Sequence, residues 1–127
     1  MEKLTFKGGI HPSDGKSFTK DKPVRKLLPQ GEMVYPLSQH IGAPAVPVVS
    51  VGDMVIGGQI IAEAGGFVSA NIHSSVSGKV IAIEPRTLAT GGTCNSIVIE
   101  NDGNYKEMQY KASKLEELSK VEIIEKV

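Results

Sequence analysis

Short apolar runs alternate with turn signals along the middle of the chain. The runs cover residues 46–51, 54–56, 59–64, 67–72, 78–83 and 96–100. Between them lie Gly52-Asp53, Gly57-Gly58, Gly65-Gly66, Ser74-Ser75 and Gly91-Gly92. Runs of this length that are rich in Val and Ile favour β-strands, and turns at such close spacing are typical of a compact barrel or sandwich. The pattern predicts an all-β domain over residues 46–111, with residues 105–110 as a further edge strand.

Proline dominates the segment before these runs, and apolar periodicity is weak there. Each proline removes a backbone donor, which makes long central strands unfavourable. We therefore expect residues 1–45 to form an extended arm that packs on the barrel. The basic residues of segment 16–26 are interrupted by Asp21 and indicate a solvated surface.

The apolar period changes at the end of the chain. Apolar residues recur every third position, which predicts an amphipathic helix in residues 112–127. Two capping boxes compete for its start, Ser113 with Glu116 and Ser119 with Glu122. No Gly, Asn or Pro ends the pattern, so we expect the helix to lead into a downstream domain. The apolar positions are Leu115, Leu118, Val121, Ile124 and Val127.

Charge and composition exclude several classes of protein. The 127 residues suit one domain, and 14 basic residues balance 14 acidic ones, which argues against nucleic-acid binding. Cys94 is the single cysteine, as expected in a reducing compartment. No stretch approaches the roughly 20 apolar residues of a membrane span, and no signal peptide is evident. We expect a soluble, cytoplasmic polypeptide.

The polar residues offer little catalytic chemistry. His11, His40 and His73 lie about 30 residues apart, without the close pairing of most zinc sites, so roles in holding loops are favoured. Cys94 has no base nearby in the sequence and is interpreted as a small, semi-buried residue. Asp53 is better explained as a turn residue than as the acid/base partner of Glu63.

Residues 51–62 and 76–83 resemble the hammerhead of biotinyl and lipoyl carrier domains. In that resemblance Gly52-Asp53 makes a tight turn, Gln59 opens the next strand and Ser77-Gly78 begins its partner. A working carrier needs a lysine in the hairpin between the two halves. No lysine lies between Gln59 and Gly78, and Lys79 falls inside a strand. The resemblance implies a barrel-sandwich hybrid that lacks the carrier chemistry.

Three further stretches, together with the hammerhead, resemble the C subunit of the Rnf ion-translocating ferredoxin:NAD oxidoreductase complex. They are residues 6–12 (Phe-Lys-Gly-Gly-Ile-His-Pro), 35–45 (Tyr-Pro-Leu-Ser-Gln-His-Ile-Gly-Ala-Pro-Ala) and 123–127 (Ile-Ile-Glu-Lys-Val). The resemblance covers nearly the whole chain. It implies an N-terminal module that precedes a flavin- and NADH-binding domain and a region with two four-iron clusters.

The chain itself has no GxGxxG and no CxxCxxC motif, so we assign no catalytic, cofactor-binding or metal-binding residue to it. FMN and [4Fe-4S] clusters are expected only in the downstream part of the subunit. The resemblance implies a structural and docking module that contacts other Rnf subunits on the cytoplasmic side of the membrane. A biotin/lipoyl-type carrier, and a small enzyme or metal protein using the three histidines and Cys94, are the alternatives.

Overall fold

The computed structural model describes residues 12–113, 116 and 118–126. These residues form a mainly β structure with one short C-terminal helix. A 3-10 turn (Lys16–Phe18) comes first, and α1 (Lys120–Lys126) comes last. The strands between them are β1 (Glu32–Pro36), β2 (Val46–Pro47), β3 (Met54–Val55), β4 (Ile60–Glu63), β5 (Ile72–His73), β6 (Gly78–Thr87) and β7 (Thr93–Asn101).

Two antiparallel sheets make up the β structure. The larger sheet has the order β1-β7-β6-β3, and the smaller has the order β2-β4-β5. The long hairpin of β6 and β7 is the centre of the larger sheet, and its register shifts between Val80 and Ala82. A bulge of this kind bends a strand and increases its twist, which helps a sheet to curl around a core.

Both sheets contribute to one hydrophobic core. In the larger sheet, Ile97 of β7 lies between Tyr35 of β1 and Ile83 of β6. This row of side chains packs in the core. Ile61 from the smaller sheet is fully buried against the same cluster. The cluster therefore packs the two sheets against each other. Its buried members are Tyr35, Leu37, Ala45, Val55, Ile61, Ala62, Ile72, Val76, Val80, Ile97 and Ile99.

The strands differ from the sequence prediction in several places, and of the run 46–51 only Val46–Pro47 is a strand. Residues 32–36, inside the segment predicted as an arm, form the edge strand β1, which ends at Pro36 where a missing donor costs little. Residues 67–71 form a loop, and β5 begins only at Ile72. Residues 105–110 add no strand, since Glu107 makes only an isolated bridge to Gly57.

Residues 16–28 of the N-terminal segment are exposed, and the chain joins the β structure at Pro29. The carbonyl oxygen of Pro29 accepts hydrogen bonds from Asn101 Nδ2 at 2.7 Å and from the hydroxyl of Tyr105 at 2.8 Å. Tyr105 adopts a φ of 51°, which is uncommon for a residue other than glycine. The turn after β7 therefore fixes the point where the segment enters the first strand.

The C-terminal helix begins at the second of the two predicted capping boxes. The backbone N–H of Ser119 donates to Glu122 Oε2 at 2.8 Å, and the N–H of Glu122 donates to Ser119 Oγ at 3.3 Å. Val121 and Ile124 of the predicted apolar stripe are exposed. No helix among residues 12–113, 116 and 118–126 is long and apolar enough to span a bilayer.

Candidate functional site

The hairpin that would carry the modified lysine of a carrier domain connects β4 to β5. Within this hairpin, backbone N–H groups donate to polar side chains and not to backbone carbonyls of a paired strand. The N–H of Ala64 donates to Asn71 Oδ1 at 2.8 Å, and the N–H of Gly65 donates to Ser69 Oγ at 3.0 Å. Lys79 lies outside this hairpin, in β6 opposite Met54. The nearest lysine is therefore on the barrel wall, as the sequence predicted.

A second loop, residues 38–45, is hydrogen-bonded to this hairpin. The N–H of Ala43 donates to the carbonyl oxygen of Val68 at 3.0 Å, and Ser69 Oγ donates to the carbonyl oxygen of Ala43 at 2.8 Å. A Cβ atom at Gly42 would collide with the same Val68 carbonyl. Because the two backbones touch so closely, the two loops form one double-loop tip at an end of the barrel.

His40 links the two loops of the tip. The N–H of Ala70 donates to His40 Nε2 at 3.1 Å, so this nitrogen carries no proton. Nδ1 therefore carries the proton and donates to the carbonyl oxygen of Ile41 at 2.9 Å. Both ring nitrogens are used by the backbone. The geometry matches the loop-holding role predicted for His40.

His40 and His73, the two histidines that the structure describes, do not form part of a metal site. His73 lies on β5 and is exposed, while His11 lies outside the described residues. Among the residues that the structure describes, no three His, Cys, Asp or Glu side chains form a group that would hold a metal ion.

The other residues weighed from the sequence are also separated. Cys94 is half-buried on β7, opposite Arg86, and its thiol donates to the carbonyl oxygen of Asn95 at 3.0 Å. Asp53 Oδ2 accepts the N–H of Ser50 at 2.8 Å in the turn before β3. Glu63 lies at the end of β4, paired with Val46 on the smaller sheet.

A polar cluster that sequence reasoning missed closes the turn after β7. Ser77 Oγ donates to Asp102 Oδ1 at 2.7 Å, and the N–H of Asn104 donates to the same oxygen at 2.8 Å. The N–H of Lys106 donates to Ser77 Oγ at 2.9 Å. The hydrogen bond from Ser77, followed by that from Asn104, lowers the pKa of Asp102 below its usual 3.8. Asp102-Gly103 is a turn signal in the sequence, but it gives no hint of a partner 25 residues away.

The outward face of the double-loop tip is apolar. Phe67 is fully exposed, at 105% of its reference area, and Ile41 is 85% exposed. Val68 and Val46 are more than half exposed, and Pro44 is exposed beside them. We name these five residues, Ile41, Pro44, Val46, Phe67 and Val68, the tip surface. Sequence reasoning treated residues 67–72 as a strand and so missed this exposure.

Two sheets around one core, with a hammerhead whose hairpin forms an exposed tip, define a barrel-sandwich hybrid. Residues 4–104 match the family model described as the RnfC barrel sandwich hybrid domain. The chain belongs to this family, and both the predicted fold class and the predicted resemblance are confirmed.

Relatives with similar sequences are C subunits of Rnf-type complexes. The C subunit of a proton-translocating ferredoxin:NAD(+) oxidoreductase complex from Clostridium ljungdahlii is 44% identical over 84% of this chain and 26% of its own length. The Na(+)-translocating counterpart from Acetobacterium woodii is 50% identical over 78% of this chain and 22% of its own length. The C subunit of an ion-translocating oxidoreductase complex from Rhodobacter capsulatus is 39% identical over 84% of this chain and 21% of its own length. The chain thus spans about a quarter of the length of these relatives.

Proposed function

We propose that this chain is the non-catalytic structural and docking module of the C subunit of an ion-translocating ferredoxin:NAD oxidoreductase complex. The observation that carries the proposal is the identity of 39–50% to subunits so named, over the barrel that the structure describes. The module sits on the cytoplasmic side of the membrane and contacts other subunits of the complex. Flavin, NADH and iron–sulfur clusters are bound by the rest of the subunit.

The geometry of the hairpin supports a scaffold over a carrier. A carrier domain presents a lysine at a free tip so that the attached arm can move between sites. Here the hairpin contains Gly65, Gly66 and Phe67 and no lysine, and the Ser69 hydroxyl donates to the carbonyl oxygen of Ala43 in the neighbouring loop. An apolar tip whose two loops are hydrogen-bonded to each other is suited to contact with a protein surface, because pre-ordered loops lose less conformational entropy on binding.

Deletion of residues 1–113 from the full-length subunit tests the docking role. We expect co-purification of the other subunits with the shortened subunit to fall at least tenfold. Its flavin and iron content per polypeptide should stay within about twofold of the wild type, because those groups are proposed to bind downstream. An undiminished complex with normal ferredoxin-linked NAD reduction would refute the docking role.

The isolated 127-residue chain tests the non-catalytic part of the proposal. We expect it to bind no flavin or iron and to leave NADH unoxidised in the presence of an artificial electron acceptor. Oxidation of NADH at a rate proportional to the concentration of the pure chain would contradict this part. An increase in intact mass after incubation with biotin or lipoate ligase would favour the carrier alternative instead.

A further inference from the structure

Charged residues are almost absent from one continuous part of the chain. The 46 residues from Met33 to Gly78 contain only Asp53 and Glu63 of the 28 charged residues. Asp53 is engaged in its own turn through the N–H of Ser50. Solvated surfaces normally carry both signs of charge, whereas the centres of protein–protein interfaces are depleted of charge. The whole double-loop tip lies inside this charge-poor segment, residues 33–78.

The tip surface is continuous across the two loops. A Cβ at Gly42 would also touch a methyl group of Val68, and a Cβ at Gly65 would lie 3.6 Å from a methyl group of Val46. Exposed apolar side chains on loops that lie this close together form a patch, whereas isolated ones need no explanation. Phe67 and Ile41 are the most exposed members of the patch.

An apolar cleft adjoins the tip surface. It has a volume of about 430 Å³ and shares Pro44 and Val46 with the tip surface. Its other lining residues are the apolar Leu37, Ala45 and Pro47, together with Ser38, Cys94 and Asn95. A cleft of this size accepts one or two large apolar side chains, which is the arrangement that provides most of the binding energy in many interfaces.

We propose that the tip surface and this cleft bind another protein subunit of the same complex. The partner's contact surface is apolar and uncharged at its centre, with one large side chain in the cleft. It carries Lys or Arg at the rim, opposite Glu63. This inference rests on the proposed docking function and identifies the surface that performs it.

The charge of Glu63, beside the tip surface, favours one kind of binding partner over the others. Glu63 is exposed and stands directly opposite Val46 in the β2–β4 pair, so both side chains are on one face. An anionic lipid surface is attracted by Lys and Arg, and the charge-poor segment has neither. A symmetric pair of identical tips would bring two Glu63 carboxylates to one interface without a cation from this segment. Lys or Arg at the rim of a partner surface would pair with the Glu63 carboxylate.

Substitutions in the full-length subunit, expressed with the other subunits, test the surface. We expect Phe67→Asp to lower co-purification of the other subunits at least tenfold. Phe18→Asp is the matched control, since Phe18 is 81% exposed but lies outside the charge-poor segment, and it should stay within twofold of the wild type. Glu63→Lys should also weaken co-purification, by about threefold or more. A Phe67→Asp subunit that assembles like the wild type would overturn the inference.

Cross-linking identifies the occupant directly. Phe67 is replaced by a photo-reactive phenylalanine analogue in the assembled complex, and the cross-linked peptide is read by mass spectrometry. A cross-link to another subunit supports the inference, whereas one to lipid, to a second copy or to the downstream part of the same polypeptide would overturn it. If the 1–113 deletion abolishes assembly while Phe67→Asp does not, only this surface is wrong. If the deletion leaves assembly intact, the docking function itself is wrong.

Discussion

At the scale of single residues, the carboxylate of Asp102 holds the turn after β7 together. Oδ1 accepts hydrogen bonds from Ser77 and Asn104, and both favour the ionised form. Ser77 is buried and also accepts the N–H of Lys106, so one serine connects the start of β6 with the segment after the turn. A carboxylate on the surface thereby organises a buried hydroxyl.

The lowered pKa of Asp102 predicts a pH dependence of stability. Because the folded pKa lies below the usual 3.8, the folded state binds this proton less tightly than the unfolded chain. The stabilisation is fully present above about pH 3.8 and is lost as the pH falls through the folded pKa. We expect the stability difference between the wild type and Asp102→Asn to shrink below about pH 3.8. Urea unfolding at several pH values measures it, and a difference that stays constant down to about pH 2 would contradict the prediction.

Gly42 is required by both its backbone angle and its neighbour. Its φ is 92°, close to the 87° of Gly91, which has open space around it. Backbone strain should therefore cost Gly91→Ala about 1–2 kcal/mol of unfolding free energy. Gly42→Ala should cost at least about 1 kcal/mol more, because its Cβ displaces the Val68 carbonyl that accepts a hydrogen bond. Urea unfolding of both variants makes the comparison, and equal losses would show that the close contact is unimportant.

At the scale of elements, α1 depends on its capping box more than on packing. A seven-residue helix with exposed Val121 and Ile124 has little intrinsic stability. We expect Ser119→Ala to cost this helix about 1 kcal/mol, which is roughly a fivefold loss of helical population. Ser113→Ala, at the rival capping box, is the control and should leave the helix unchanged. Amide exchange and chemical shifts of residues 120–126 measure both variants, and equal effects would refute the assignment.

The elements that the sequence predicted are those that local chemistry determines. The pattern correctly placed β3, β4, β6 and β7, because the turn signals at Gly52-Asp53, Gly57-Gly58, Ser74-Ser75 and Gly91-Gly92 lie next to them. It missed β1, whose pairing with β7 depends on residues about 60 or more positions away. It extended β5 too far, because the loop at residues 67–71 is held by hydrogen bonds to another loop, one of them to the side chain of His40. Hydrogen bonds between residues 30 positions apart leave no periodic signal.

At the scale of the whole molecule, the core between the two sheets determines stability. Ile60 and Ile61 are neighbours on β4, but Ile61 is fully buried and Ile60 is 37% exposed. Ile61→Ala should cost about 2–5 kcal/mol through lost burial and the cavity left behind. Ile60→Ala should cost no more than about 1 kcal/mol. Thermal or urea unfolding gives the two values, and similar losses would mean that the sheets do not share one core.

The strand order β1-β7-β6-β3 governs when this barrel can form during synthesis. β7 lies between β1 and β6 although it is the last strand to leave the ribosome. Until residue 101 has emerged, β1 has no strand to pair with, and the apolar side chains of the earlier strands are not covered by β7. We therefore expect folding to be a late, concerted event that follows translation of the whole module. Because the charge-poor segment stays uncovered during that interval, we expect chaperones to bind the nascent chain there.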